Sequence, residues 1–225
     1  MKKIALTAAL ASLLASGIAS AAPTYYATRA AFDAANPGLT FEGFENMDAA
    51  ATLVFTSPLN STTNIPGIVS PGEIVPGINF DLTIGHDAYV AAPGQSSNTT
   101  RAIGVNTPTA AGWQVSFATP ATAFGVDVFQ NFGGGSQSGR PIQVTVDLFD
   151  ASSTLIDSTQ ITVPSGGPGF FGVSSAVPIA YLTIDNASSF DVIDNVEFGA
   201  AVPEPATLGL LALGLVGIAR RRKAA

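Results

Sequence analysis

The chain has 225 residues, room for one domain with a sizeable core: 47% are apolar, with 23 Gly, 15 Pro and no Cys. Without cysteine there is no disulfide framework, no thiol chemistry and no zinc–thiolate site. Six of the nine basic residues sit at the ends (Lys2, Lys3, Arg220, Arg221, Arg222, Lys223), which leaves three Arg against fifteen acids between residues 22 and 202, a net charge of −12. Such a field excludes nucleic acid, whose binding needs cations that displace counterions. Cations and neutral polymers such as glycans remain open as partners.

In chain order, Met1-Lys2-Lys3 precedes an apolar run from Ile4 to Ile18 and then Ala19-Ser20-Ala21. A short positive region, about 15 apolar residues and an A-x-A site formed by Ala19 and Ala21 predict a secretory signal over residues 1–21. A membrane anchor would need a longer run. Thr28 is a helix cap, the alanine-rich stretch after it favours helix, and Pro37-Gly38 ends it, so one helix of about two turns carries Phe32 to the core.

From there the texture is β. Residues 39–42 and 52–55 open the sheet, and the prolines at 58, 66, 71 and 76 make 57–76 a loop region. Strands are predicted at 78–84, 102–106, 113–117, 124–130, 143–150, 155–163, 170–173, 180–185 and 192–198. In Trp113-Gln114-Val115-Ser116-Phe117 the alternation is a clean period of two, which places Trp113 in the core. Short strands separated by Gly- and Pro-rich turns predict an all-β fold, a two-sheet jelly-roll-like β-sandwich with one short N-terminal helix, spanning 22–201.

The chain closes with Val202-Pro203-Glu204-Pro205, an apolar stretch from Ala206 to Ala219, and Arg220-Arg221-Arg222-Lys223. The prolines end the folded domain. Fourteen apolar residues are marginal for a membrane span, but the basic cluster would hold the end on the cytoplasmic side. Residues 202–225 therefore read as a hydrophobic tail helix acting as a temporary membrane tether; a core helix would leave the four cations unexplained. Pro-Glu-Pro, a Gly/Leu-rich apolar stretch and a terminal Arg cluster resemble the PEP-CTERM sorting signal of Gram-negative bacteria. That resemblance implies processing by an exosortase, a membrane transpeptidase, in bacteria that make exopolysaccharide, and hence a place at the cell surface or in the extracellular matrix. The "helix-Phe, then F-E-G" opening and the "I-D-N-V-x-F" ending also resemble PEP-CTERM proteins of unassigned function.

Chemistry is sparse. Phe41-Glu42-Gly43-Phe44 and Asp191-Val192-Ile193-Asp194-Asn195 lie near the two ends of the domain, and a jelly roll brings its first and last strands together. The pattern resembles carbohydrate-binding modules in which an early "FE" and a late "D-N" bracket a structural calcium, which implies Glu42 and Asp194 as ligands to that hard cation. The alternative is that both are strand-end carboxylates accepting backbone N–H bonds or facing solvent. His86, the single histidine, lies in a turn, and no G-x-S-x-G motif gives it a nucleophile to serve. Carboxylate pairs for glycoside hydrolysis could be drawn from Glu42, Glu45, Glu73 or Asp127, without specificity among fifteen acids. Trp113, Tyr89 and Tyr181 are the aromatic candidates for stacking on sugars; Tyr25 and Tyr26 stand too near the cleavage site to count. The reading is a non-enzymatic structural or glycan-binding matrix protein, with a polysaccharide hydrolase or lyase as the alternative.

Overall fold

Residues 22–47, 54–56, 58–83, 87–106, 112–130, 140–185 and 191–200 are described by a computed structural model. The expected signal segment (residues 1–21), His86 and the tail from residue 201 lie outside them. The first element is a strand that the sequence reading did not anticipate, β1 (Thr24–Tyr26), paired with residues 172–174. Helix α1 (Arg29–Ala35) follows, with the Thr28 hydroxyl accepting the Ala31 N–H at 3.3 Å and Asn36 closing its end. Nine of the remaining strands are short or medium, like β1: β2 (Thr40–Glu42), β3 (Val54–Thr56), β4 (Leu59–Asn60), β5 (Ile78–Leu82), β6 (Asp87–Ala91), β7 (Ala102–Val105), β9 (Ile142–Phe149), β10 (Leu155–Val163) and β12 (Asp191–Gly199).

The other two strands, β8 (Trp113–Gln130) and β11 (Gly169–Asp185), are long and serve two layers. The sequence reading splits each in two, into 113–117 and 124–130 and into 170–173 and 180–185, with Pro120 and Pro178 falling in the gaps. Both prolines instead sit at corners, where the β8–β11 register is interrupted between Ser174 and Tyr181. A proline lacks the N–H of a ladder bond, so it is tolerated where the ladder is already broken. The first half of β8 and the second half of β11 form one layer in the order β4-β5-β8-β11-β9-β10. Their other halves form the second layer, β1-β11-β8-β12, with β12 flanked further by β2 and by β7-β6-β3. The expected all-β sandwich with one short helix is what the chain forms.

Between the layers lies one core. Trp113, Val115 and Phe117 on the first layer are buried, as are Phe124, Val126 and Val128 on the second. Phe117 sits 5.8 Å from Phe124 and 5.7 Å from Phe198, centroid to centroid. Strand β9 shows why these sequences become strands: Ile142, Val144, Val146 and Leu148 are buried, while Gln143, Thr145, Asp147 and Phe149 face out.

On the outer side of the second layer α1 is seated by a pair of glycines. Gly125 and Gly172 are cross-strand partners, and a Cβ at either would stand 2.6 and 3.1 Å from the Phe32 ring. Phe32, the buried residue of α1, fills that smooth patch between Tyr26 and Phe170. Arg29, one turn earlier, reaches Asp127 (3.1 Å) and Glu197 (2.7 Å), donates to the Asn195 carbonyl (2.7 Å) and stacks its guanidinium 4.9 Å from the Phe170 centroid.

Candidate functional site

Glu42 and Asp194 come to neighbouring strands, as expected, but not to one site. Glu42 pairs with Val196, a core residue, so its side chain points inward. Asp194 pairs with Asp127 on the outer face beneath α1. Between them the register slips, and Asn195 takes φ +50°, a left-handed conformation that asparagine tolerates at a bulge. The extra residue restarts the alternation, so Asp194 and Glu197 both face out while Val196 and Phe198 face in.

All four carboxylate oxygens are already engaged. Glu42 Oε1 accepts the Phe44 N–H at 2.6 Å and Oε2 the Val75 N–H at 2.8 Å. Asp194 Oδ2 accepts the Thr100 hydroxyl and Oδ1 the Asn195 N–H, each at 2.6 Å. Calcium asks for six to eight oxygens. Two carboxylates on opposite faces of a sheet do not supply them jointly, and among the described residues no three His, Asp or Glu converge as a metal site. The residues do not fit the calcium expectation; carboxylates accepting N–H bonds is the alternative that matches.

Burial governs the protonation of both acids. It pushes Glu42 up against the pull of the Val75, Phe44 and Gly43 N–H groups. It raises Asp194 to about 6, with the charges of Asp127 and Glu45 adding to the rise and the Thr100 and Asn195 donors opposing it. A carboxyl with a raised pKa beside a second carboxylate is what a glycoside hydrolase would use. Here, however, Asp194 is 0% and Asp127 8% exposed, and Asp127 is held by Arg29 and the Asn195 amide (2.9 Å). The pair is a sealed polar junction. Glu45 bonds the Arg101 N–H, and Glu73 accepts the Ser70 N–H at 2.8 Å.

The surface that can meet a polymer is the outer face of the first layer. Strand register lines its outward side chains into rows. One row reads Asn60, Asn79, Ser116, Tyr181, Phe149 across β4, β5, β8, β11 and β9. The next reads Asp81, Gln114, Thr183, Asp147, Ser158, and a third adds Asp185, Thr145 and Gln160. The six strands are five steps of ~4.8 Å apart, about 24 Å in all. Tyr181 and Phe149 stack at 4.7 Å with planes 9° apart. Asn60 donates to Asn79 at 3.0 Å and Asn79 to Ser116 at 3.4 Å, while Ser158 donates to Asp147 at 2.5 Å. At the amide end of the first row a groove of about 350 Å³ is lined by Asn60, Asn79, Ser116 and Phe117.

Of the aromatics considered for stacking, Trp113 and Tyr89 are buried and Tyr181 is on this face. Tyr25 and Tyr26, set aside in the sequence, are structured. Tyr25 donates to Asp157 at 3.0 Å, closing the open side of the sandwich between β1 and β10, and burial drives its phenol pKa well above the ordinary value. The rows were invisible in the sequence because they exist only once register is fixed; the outward half of each alternating strand was the available signal.

Residues 201–223 match the PEP-CTERM protein-sorting motif. The match spans Pro203-Glu204-Pro205, the apolar stretch and Arg220 to Arg222, as the resemblance implied, and with it the chain carries a signal for exosortase processing, export and transient anchoring. Among the described residues no helix is long and apolar enough to cross a membrane. No curated protein matches the chain by sequence. Three solved structures are similar in fold at low identity. The lectin domain of lectinolysin complexed with Lewis B antigen is 14% identical, covering 45% of this chain and 72% of its own, with TM-score 0.34. A DUF4465 family protein from Bacteroides caccae is 10% identical over 79% of this chain and 99% of its own, TM-score 0.36. A family 11 carbohydrate-binding module of a Clostridium thermocellum cellulase is 10% identical over 68% and 99%, TM-score 0.31.

Proposed function

We propose that this is an exosortase-processed surface protein of a Gram-negative bacterium whose sandwich binds extracellular polysaccharide without cleaving it. The observation that carries the binding is the 24 Å polar face with a stacked aromatic pair in its midst. Sugar rings offer apolar C–H faces to aromatics and hydroxyls to amides, hydroxyls and carboxylates, and rows across six strands repeat that combination. The non-catalytic reading is supported by one of the acid pairs: Asp127 and Asp194 are sealed beneath α1.

Tyr181→Ala should weaken binding of the host's own exopolysaccharide at least tenfold, as expected for an aromatic anchor. Titration calorimetry on the two proteins checks this, and equal affinities would remove the face from the proposal. Release of reducing ends from that polymer would favour the hydrolase or lyase reading instead. For the tail, joint replacement of Pro203, Glu204 and Pro205 by alanine should leave uncut chain in the inner membrane. Fractionation identical to the parent would show that sorting does not read this segment.

A further inference from the structure

We infer that the membrane-held precursor stands end-on to the bilayer, with the end that carries the Pro120 and Pro178 corners against the lipid headgroups. The inference rests on the tail acting as a membrane tether and adds which surface that tether brings to the bilayer. Thr24, Ser174, Ala123 and Gly199 are partners in one row across β1, β11, β8 and β12. Strand β1 starts in that row and β12 ends in it, three strand steps of ~4.8 Å apart, about 14 Å. Ala123 is three residues from Pro120 and Ser174 four from Pro178, so the row borders the corners. Residues 1–21, read from the sequence as a secretory signal, and the sorting motif at 201–223 therefore join the domain at one end. The connections are short. Seven residue steps separate Gly199 from Ala206, where the apolar stretch opens, a reach of at most about 25 Å. Six separate Thr24 from Ile18, the last residue of the first apolar run. In the other direction, five residues of β8 carry the ladder from Ala123 to Val128, the partner of Gly169, about 17 Å at ~3.3 Å per residue. The turn at 164–168 lies beyond that, at the far end.

The surface at the corner end suits a headgroup layer. Ala118, Thr119, Pro120, Ala176 and Pro178 are exposed and uncharged. Beside them a groove of about 420 Å³ is lined by Ala22, Pro23, Leu155, Ile156 and Val177 together with Asp150, Thr154 and Asp157, and Leu155 is a large apolar side chain left 52% exposed. An apolar patch of this kind marks a place where a partner takes over from water. The two acids of the groove are engaged within the protein: Asp150 Oδ1 accepts the Ser152 and Thr154 N–H groups at 2.8 and 2.9 Å, and Asp157 Oδ2 accepts the Tyr25 hydroxyl at 3.0 Å. Among the described residues no Lys or Arg lies at this end, the three Arg being at 29, 101 and 140, so contact does not depend on anionic lipid. In this orientation the strands run along the membrane normal, and the polar rows of the first layer lie parallel to the cell surface.

The chain has no cysteine, so a single introduced thiol reports one position. The test uses the full chain reconstituted into phosphatidylcholine vesicles that carry a nitroxide on the lipid headgroup. A bimane label is placed on Ala176→Cys at the corner, on Ser152→Cys in the β9–β10 turn beside it, or on Gly166→Cys in the far turn; Ala176, Ser152 and Gly166 are all exposed. Quenching at 176 and 152 should be several-fold stronger than at 166. Equal quenching at the three positions, or stronger quenching at 166, overturns the orientation. Flotation of the same vesicles separates the two levels. Protein that floats with the lipid but is quenched alike at both ends keeps the tether and loses the orientation; protein that does not float removes the tether, and the orientation with it.

Discussion

Replacing Phe32 with alanine is expected to destabilise the protein by about 3–5 kcal/mol, roughly 10 °C in melting temperature for a domain of this size. Phe32 is 0% exposed and is the residue through which α1 is fixed to the sandwich. Its ring rests on Gly125 and Gly172 and touches Tyr26 and Phe170 at centroid distances of 5.5 and 5.8 Å. Loss of the ring leaves a cavity and also loosens Arg29, which reaches Asp127 and Glu197 only from a seated helix. The partner glycine supplies a second arm. In the parent, Gly125→Ala puts a methyl 2.6 Å from the Phe32 ring and should cost about 1–3 kcal/mol by overpacking. In the Phe32→Ala background the same methyl enters vacated space and should be neutral or stabilising. Thermal unfolding of the four proteins makes a double-mutant cycle, and an equal Gly125→Ala cost in both backgrounds would refute the contact.

Stability should rise, not fall, as the pH drops from 7 toward 5. Asp194 has a folded-state pKa of about 6, against about 3.9 for an unfolded aspartate. Between those values the native state holds more protons than the unfolded one, so stability is fully present below pH 4 and is lost as the pH climbs through 6. The difference of about two pH units corresponds to about 2–3 kcal/mol. Burial pushes Glu42 and Glu197 up as well, Glu197 with the Asp33 charge against the pull of Arg29, so they act in the same direction. General repulsion at −12 does too, and Asp194→Asn isolates the single group. Asparagine can accept the Asn195 N–H through Oδ1 and donate to the Thr100 hydroxyl through Nδ2, with no charge to bury beside Asp127 and Glu45. The variant should therefore melt higher than the parent at pH 7, roughly 5 °C or more, and match it at pH 4. A variant that retains the parent's full slope between pH 4 and 7 would show that another group sets it.

Much of the fold was legible where a strand keeps one wet side. Residues 113–117 and 143–149 alternate because the sheet they build has a polar outer face, and period two survives into the sequence. Strand β6 was missed for the opposite reason: Ala88, Tyr89, Val90 and Ala91 are all buried, so no alternation remains to be read. The two long strands were each read as two, with a gap around Pro120 and Pro178, since a corner and an end look alike along one dimension. Asn195 hid the decisive detail of the candidate metal site: one left-handed residue moves Asp194 to the opposite side from Glu42, and no spacing rule shows it. The polar rows depend on six strands agreeing in register, a property of pairs rather than of any one segment.

The pairing of the chain's beginning with its end has a consequence for delivery. Thr24 to Tyr26 find their partners at 172–174, and Thr40 to Glu42 at 196–198. A polypeptide threaded through a membrane N-terminus first cannot complete either ladder until nearly the whole domain has emerged. Contacts so distant along the chain also form slowly, which keeps the chain threadable in transit. The last ladder residue, Gly199, lies just ahead of the sorting motif at 201–223. Arrest of the tail in the bilayer thus coincides with release of the final strand, so docking of the precursor and closure of its sheets fall at one step of the journey.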